Sequence, residues 1–281
     1  MNLFRYSVVL STHTTQFAAL AFKEELEHNL AKIAGWGYQG VELAIRDPNL
    51  VDVEKLAEMV DNHGLSVPAI GTGQAWGEEG LSFTSENPGV RKAAIERIRR
   101  HIPLAKRLNA LVIIGLIRGV TPKGQSRTQS LQYLDEALHA CLEYASQAGA
   151  RLALEPINRY ETDLINTAAE GMALLRQIKS DHLGLLLDTF HMNIEERSIE
   201  DSIKLCGSDI FHFHVADSNR RYPGAGHLDF RSILSALSST GFQGWVSGEF
   251  MPGPDEAAKL SIEFLKSSVS ANIQQGGSTI I

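Results

Sequence analysis

Leu183-Gly-Leu-Leu-Leu-Asp188 and Ile210-Phe-His-Phe-His-Val215 are short, largely apolar runs, and between them Ser198–Cys206 carries apolar residues at helical spacing. Each run has the length of a buried strand. A strand, a helix and a second strand within roughly 30 residues make a βαβ unit, whose strands must run parallel. Both runs also place an ionisable side chain, Asp188 or His214, at or beside their C-terminal end.

The same pattern extends outward in both directions. Comparable runs occupy Tyr6–Ser11, Gly40–Ile45, Ser66–Gly71, Ala110–Ile117, Arg151–Ile157 and Gly244–Glu249. Helical patterns alternate with them at Glu24–Ile33, Val53–His63, Val90–Arg107, Gln129–Gln147, Ala168–Ile178, Phe230–Leu237 and Asp255–Ser268. Near-continuous apolar strands alternating with helices imply a parallel sheet covered by helices. Eight βα units favour closure into a (β/α)8 TIM barrel, and 281 residues suit one such domain. An open nucleotide-binding sheet would place a Gly-x-Gly-x-x-Gly loop after the first strand, and Ser11-Thr-His13-Thr stands there instead. No Pro- or Ser-rich linker divides the chain, so residues 1–281 are expected to form a single domain. Its tail from Gln274, with Gly276-Gly-Ser278, lacks periodicity and is expected to be loosely held.

Composition narrows the function. A net charge of −7 and a pI near 5.8 give no attraction for phosphate backbones, so nucleic acid is not an expected partner. The basic stretch from Arg91 to His101 alternates with apolar residues and reads as the solvated face of one helix. Cys141 and Cys206 are too few and too far apart for a disulfide scaffold and are expected to be free and buried. With no signal-peptide pattern and no apolar run of about 18 residues, a cytoplasmic location without membrane contact is expected.

In parallel barrels the C-terminal strand ends face the active-site mouth. The last four strands end in Leu152-Ala-Leu-Glu155, Leu185-Leu-Leu-Asp188, Phe211-His-Phe-His214 and Val246-Ser-Gly-Glu249. A carboxylate at the end of an apolar strand loses hydration and needs an opposite charge, a metal or a raised pKa. One such acid is equally well explained by a surface ion pair, but three acids and an imidazole in successive units call for a cation. Carboxylates with one imidazole suit Mn²⁺ best, with Mg²⁺ and Co²⁺ as alternatives. His212 is expected to point away from His214 by strand alternation and to be packed or hydrogen-bonded. Glu42 ends the second strand, either toward substrate or paired with a base such as Arg46, and His13 follows the first strand near the mouth.

Three motifs carry a resemblance: Glu155-Pro-Ile-Asn-Arg-Tyr-Glu161 with Asn166-Thr167; Asp188-Thr-Phe-His191-Met-Asn; and His214-Val-Ala-Asp-Ser-Asn-Arg220 with Pro223-Gly-Ala-Gly-His227-Leu-Asp229. With them the chain resembles the xylose-isomerase-like barrel enzymes that epimerise ketoses, over nearly its whole length. Ala69-Ile-Gly-Thr-Gly-Gln74, Val112-Ile-Ile-Gly-Leu-Ile-Arg118-Gly and the segment from Glu155 to Asp163 look most like the 5-keto-L-gluconate epimerases, which interconvert that keto-acid and D-tagaturonate in inositol catabolism. The resemblance implies a metal on Glu155, Asp188, His214 and Glu249, with Glu155 and Glu249 also the acid–base pair. It implies that Glu161, His191 and Arg220 hold the ketone end of the substrate; Gln74, within the matched segment, and His13, on its position alone, are also expected among the substrate contacts. His227 and Asp229 are expected to touch substrate or to lock their loop. Ala216-Asp-Ser-Asn-Arg220 keeps the Arg but otherwise departs from the Ser-Glu-Asn-Asp-Arg usual in the ketohexose enzymes, which puts simple ketohexose specificity in doubt. A homo-oligomer is expected by the same analogy.

The chemistry agrees. A divalent ion on the ketone and a neighbouring hydroxyl stabilises the enediolate left by proton removal, and a carboxylate on each face can remove and return the proton. A ketohexose 3-epimerase, an aldose–ketose isomerase or an inosose dehydratase would use the same metal site. An abasic-site endonuclease would need more ligands and a basic surface, and a silent binding protein would be expected to lack Glu155 or Glu249. The remote carboxylate of a keto-acid calls for a guanidinium. Arg118 is favoured for it because Gly119 leaves room beside it, whereas Arg46 is followed by Asp47.

Overall fold

The computed structural model of the chain describes residues 3–13, 22, 25–253 and 256–275. Eight parallel strands form a closed barrel in sequence order: β1 Arg5–Ser11, β2 Gly40–Ala44, β3 Ala69–Gly71, β4 Leu111–Ile114, β5 Leu152–Leu154, β6 Leu183–Asp188, β7 Ile210–Val215 and β8 Trp245–Gly248. Closure is made by β8 on β1, with Ser7 opposite Ser247 and Val8 opposite Gly248. Outside the strands lie α1 Leu26–Gly35, α2 Val53–Asn62, α3 Gly73–Glu79, α4 Pro88–Leu108, α5 Arg127–Ala148, α6 Ala168–Ile178, α7 Thr189–Glu195, α8 Ile199–Cys206, α9 Phe230–Ser239 and α10 Ala257–Gln275. Among the described residues no helix is long and apolar enough to cross a membrane.

Several helix starts follow from local chemistry. Thr167 and Glu170 form a reciprocal capping box at α6, and Asp229 accepts from the amides of Arg231 and Ser232 at α9. Where elements differ from the expected bounds, backbone chemistry explains it. Pro68 has no amide to donate, and β3 begins after it at Ala69. Likewise β5 stops at Leu154, two residues before Pro156, and β4 yields at Gly115 to a 3-10 turn over Leu116–Arg118. Helices α3 and α7 were not expected; both are short insertions of seven residues on βα loops, and both carry pocket residues. The expected helix starts at Glu24 and Asp255 lie outside the described residues, as does the tail from Gly276; Gln274 and Gln275 instead complete α10.

The basic stretch is not a solvated face throughout. Arg97 and His101 of α4 are buried: Arg97 meets Asp47 and Glu79, and His101 bridges the carbonyls of Arg97 and Ile45. They brace the turn after β2. Cys141 and Cys206 are free and buried, as expected.

Strand β7 contains an irregularity: Leu185 of β6 pairs with Ile210 and Leu186 with His212, leaving Phe211 as an extra residue. Its ring fills the space that a side chain at Gly184 would occupy. Beyond it the register is regular, with Asp188 opposite His214.

Candidate metal centre and pocket

Four neighbouring strand ends converge. Glu155 follows β5 and Glu249 follows β8, each amide tied to the adjacent strand, Glu155 to the Ile114 carbonyl and Glu249 to that of Val215. Asp188 closes β6 and also caps α7, its Oδ1 accepting from the Phe190 amide at 2.7 Å. His214 lies in β7. One ligand atom from each of the four lies within 4.8 Å of all the others.

Three of the four residues leave a donor atom without a partner. Glu155 Oε1, Asp188 Oδ2 and His214 Nδ1 are buried and accept or donate no hydrogen bond. Burial, reinforced by the charge of Glu249, raises the pKa of Glu155 well above the carboxylate range and that of Asp188 to about 7. Burial opposes the charge on His214, but Glu42 and Glu249 outweigh it and raise its pKa. Three carboxylates and an imidazole, all but Glu249 with an orphaned donor atom, fit a single divalent ion, which would relieve this repulsion.

On its other edge His214 does not behave as expected from the sequence. Residues two apart on a strand share a face, so His212 points inward with His214, and the ring centroids lie 5.2 Å apart. The expectation that His212 faces away is therefore incorrect, although it is hydrogen-bonded. Both rings meet Glu42, which is buried within the barrel and lowered in pKa: burial opposes this, and the two imidazoles prevail. Arg46, the base offered as one alternative partner, pairs instead with Glu78 and Glu79.

Glu161, His191 and Arg220 gather beside the quartet. The Nη1 of Arg220 donates to Glu161 Oε1 at 2.7 Å, its Nη2 lies 3.6 Å from Glu249 Oε2, and its guanidinium stacks 4.7 Å over Phe190. Arg220 has a φ of 57°, in the left-handed region, and is held there by hydrogen bonds through Asp217 and Met251. Asn158, which the sequence reading passed over, is buried and donates to both Glu161 (2.9 Å) and His191 Nδ1 (2.7 Å). That bond leaves the His191 proton on Nε2, 3.6 Å from Glu155 and 3.9 Å from Asp188. Burial, and then the charge of Arg220, push the His191 pKa well below its usual value, so the ring is neutral.

Asp217 was also missed. Buried at the end of β7, it accepts from the amides of Ser218, Gly224 and Leu228 and so fixes the loop that presents Arg220. Both residues stood inside quoted motifs, but a polar residue that braces a loop has no sequence mark of its own. His227 bonds Ser218, and with Asp229 as a helix cap these two lock the loop.

The pocket over the quartet is lined by Glu155, Glu161, His191, His214, Arg220 and Glu249, together with Val9, Glu42, Ala44, Gly71, Thr72, Gln74 and Ile113. Gln74 is a lining residue, its Nε2 bonded to Ser11 Oγ at 2.9 Å. His13 is not a lining residue; its ring contacts Thr12 and the Leu50 carbonyl.

Arg118 is not brought to the pocket either. Fully buried, it turns back behind Glu155 and donates to the carbonyls of Gly115, Glu155, Leu164 and Ile165. Burial lowers its pKa to about 10. The space beside Gly119 is filled by the Ser82 and Thr84 hydroxyls, so no ligand fits there. The 3-10 turn after β4 is the reason: it reverses the chain and aims the side chain into the wall.

A family model described as the xylose isomerase-like TIM barrel matches residues 30–268. The chain is 33% identical over 236 residues to an L-ribulose 3-epimerase of Mesorhizobium japonicum, covering 83% of this chain and 78% of that one. A solved L-ribulose 3-epimerase superimposes with a TM-score of 0.82 at 27% identity over 99% of this chain and 100% of that chain. A D-allulose 3-epimerase from Methylomonas sp., solved with D-allulose, gives a TM-score of 0.79 at 26% identity over 94% and 97%. The chain, with its closed eight-stranded barrel and its acidic quartet at the C-terminal strand ends, belongs to the xylose-isomerase-like TIM-barrel family.

Proposed function

We propose that the chain is a metal-dependent sugar epimerase that inverts the carbon next to a ketone. The observation that carries this reading is the pair Glu155 and Glu249, which enter one cluster from β5 and β8, strands separated around the barrel by β6 and β7. Two carboxylates arriving from different sides suit removal of a proton from one face of a planar intermediate and its return to the other. Glu155, Asp188, His214 and Glu249 would hold the ion, which when bound supplies positive charge against the ketone oxygen. Burial raises Glu155 toward the basicity that proton abstraction needs. Neutral His191, with its proton on Nε2, and Arg220, steered by Glu161, supply donors for the ketone and hydroxyl oxygens.

For the substrate, the likeness of the loops at 69–74, 112–119 and 155–163 supports a six-carbon keto-acid, with 5-keto-L-gluconate and D-tagaturonate interconverted. A neutral ketohexose is the second reading. It is favoured by the relatives named above and by the pocket lining from Val9, Glu42, Ala44, Gly71, Thr72, Gln74 and Ile113, which offers no cationic side chain to a carboxylate, its one ionisable group, Glu42, being an acid. Rates on the two keto-acids and on neutral ketoses such as L-ribulose and D-psicose decide between them.

The test of the mechanism is Glu155→Gln and Glu249→Gln, since an amide neither accepts nor returns the proton. Each variant is expected to lose epimerisation and still bind substrate. A variant that exchanges the substrate's α-proton with deuterium oxide without inverting it assigns its residue to one face. Full turnover in either variant refutes the two-carboxylate mechanism.

A further inference from the structure

Glu42 lies within β2, 1% exposed, with two imidazoles directed at it. Its Oε2 is 2.8 Å from His212 Nε2 and 2.9 Å from His214 Nε2, and its Oε1 is 3.1 Å from the same His214 nitrogen. A carboxylate only accepts hydrogen bonds, so both Nε2 atoms must carry protons. For His214 this has a consequence at the other edge of the ring. Its Nδ1, 3.5 Å from Glu249 and without a hydrogen-bond partner, is then the nitrogen whose lone pair a cation would take when it displaces the second proton of the ring. With the opposite tautomer, an N–H would point into the cluster.

The geometry points to Glu42 as a positioning residue, one that selects the tautomer of His214 and fixes its ring plane from beneath the metal cluster; the inference rests on the metal-site reading proposed above. His212 completes the device. It comes from the same strand two residues earlier, presents its N–H to the same carboxylate oxygen, and so keeps Glu42 from rotating away. The burial of both partners keeps water from substituting for either bond.

Glu42→Gln tests this with little change of shape. The amide oxygen still accepts from His212, while the amide N–H can donate to His214 Nε2 and so stabilise the wrong tautomer. Mn²⁺ titration by calorimetry on the full chain is expected to show binding weakened about 10–100-fold, with the metal-free melting temperature nearly unchanged. Wild-type affinity in Glu42→Gln overturns the proposal. If wild type itself binds no Mn²⁺, the metal-site reading fails instead, so the two failures are distinct. A second measurement does not depend on the variant folding. In the Mg²⁺-loaded wild type, long-range ¹H–¹⁵N spectra of the histidine rings are expected to place the His214 proton on Nε2, and a proton on Nδ1 overturns the inference.

Discussion

Gly115 sits at the end of β4, directly against the catalytic candidate on the next strand. A methyl group there would lie 2.9 Å from Glu155 Oε2, against 3.8 Å from Ile157 and 4.0 Å from Ile113. The two apolar contacts are ordinary, so the strain falls on the carboxylate. Relaxing a carbon–oxygen contact to its normal separation of roughly 3.4 Å moves that oxygen by about 0.5 Å. Glu155 has little freedom to absorb this, because it is buried among Asp188, His191 and Glu249. Catalytic groups must stay within about 0.5 Å of productive geometry, and a 1 Å displacement costs on the order of 100-fold in rate. Gly115→Ala is therefore expected to lower kcat about 10–100-fold and to change the melting temperature little. The assay is steady-state epimerisation by coupled or chromatographic readout, with thermal unfolding alongside. Gly77→Ala is the control: it is exposed on α3, with nothing near an added methyl. Wild-type kcat in Gly115→Ala would show that Glu155 does not act from this position. A large loss of stability would show that the strain falls on the backbone instead.

Asp188→Ala is expected to abolish binding of one divalent ion and activity together while the barrel stays folded; full metal occupancy in that variant, measured by elemental analysis, rules out the quartet. Arg118→Met leaves the carbonyls of Gly115, Glu155, Leu164 and Ile165 without their buried donor and should cost roughly 3 kcal/mol or more of stability. Its kcat/KM should fall by the same factor on acidic and neutral substrates, and a loss confined to keto-acids would return Arg118 to the role of carboxylate reader.

The architecture and the quartet were legible in the chain because both rest on local periodicity. Eight apolar runs of strand length, alternating with amphipathic helices, define a barrel, and its geometry then sends every strand end to one mouth. Glu155, Asp188, His214 and Glu249 therefore needed only their positions at strand ends to be brought together. The sequence could also have placed His212 inward with His214, since strand alternation alone fixes that face. Its shared partner Glu42, however, lies 170 residues away, and only closure of the barrel brings the two into contact. Arg118 was decided wholly by the tertiary structure: the 3-10 turn after β4 and the packing of Ser82 and Thr84 against Gly119 turn a loop arginine into a buried brace behind Glu155. Asn158 and Asp217 belong to the same class. A side chain that holds a catalytic group in place is defined by what it meets, and those partners come from distant βα units whose loops follow no periodic rule.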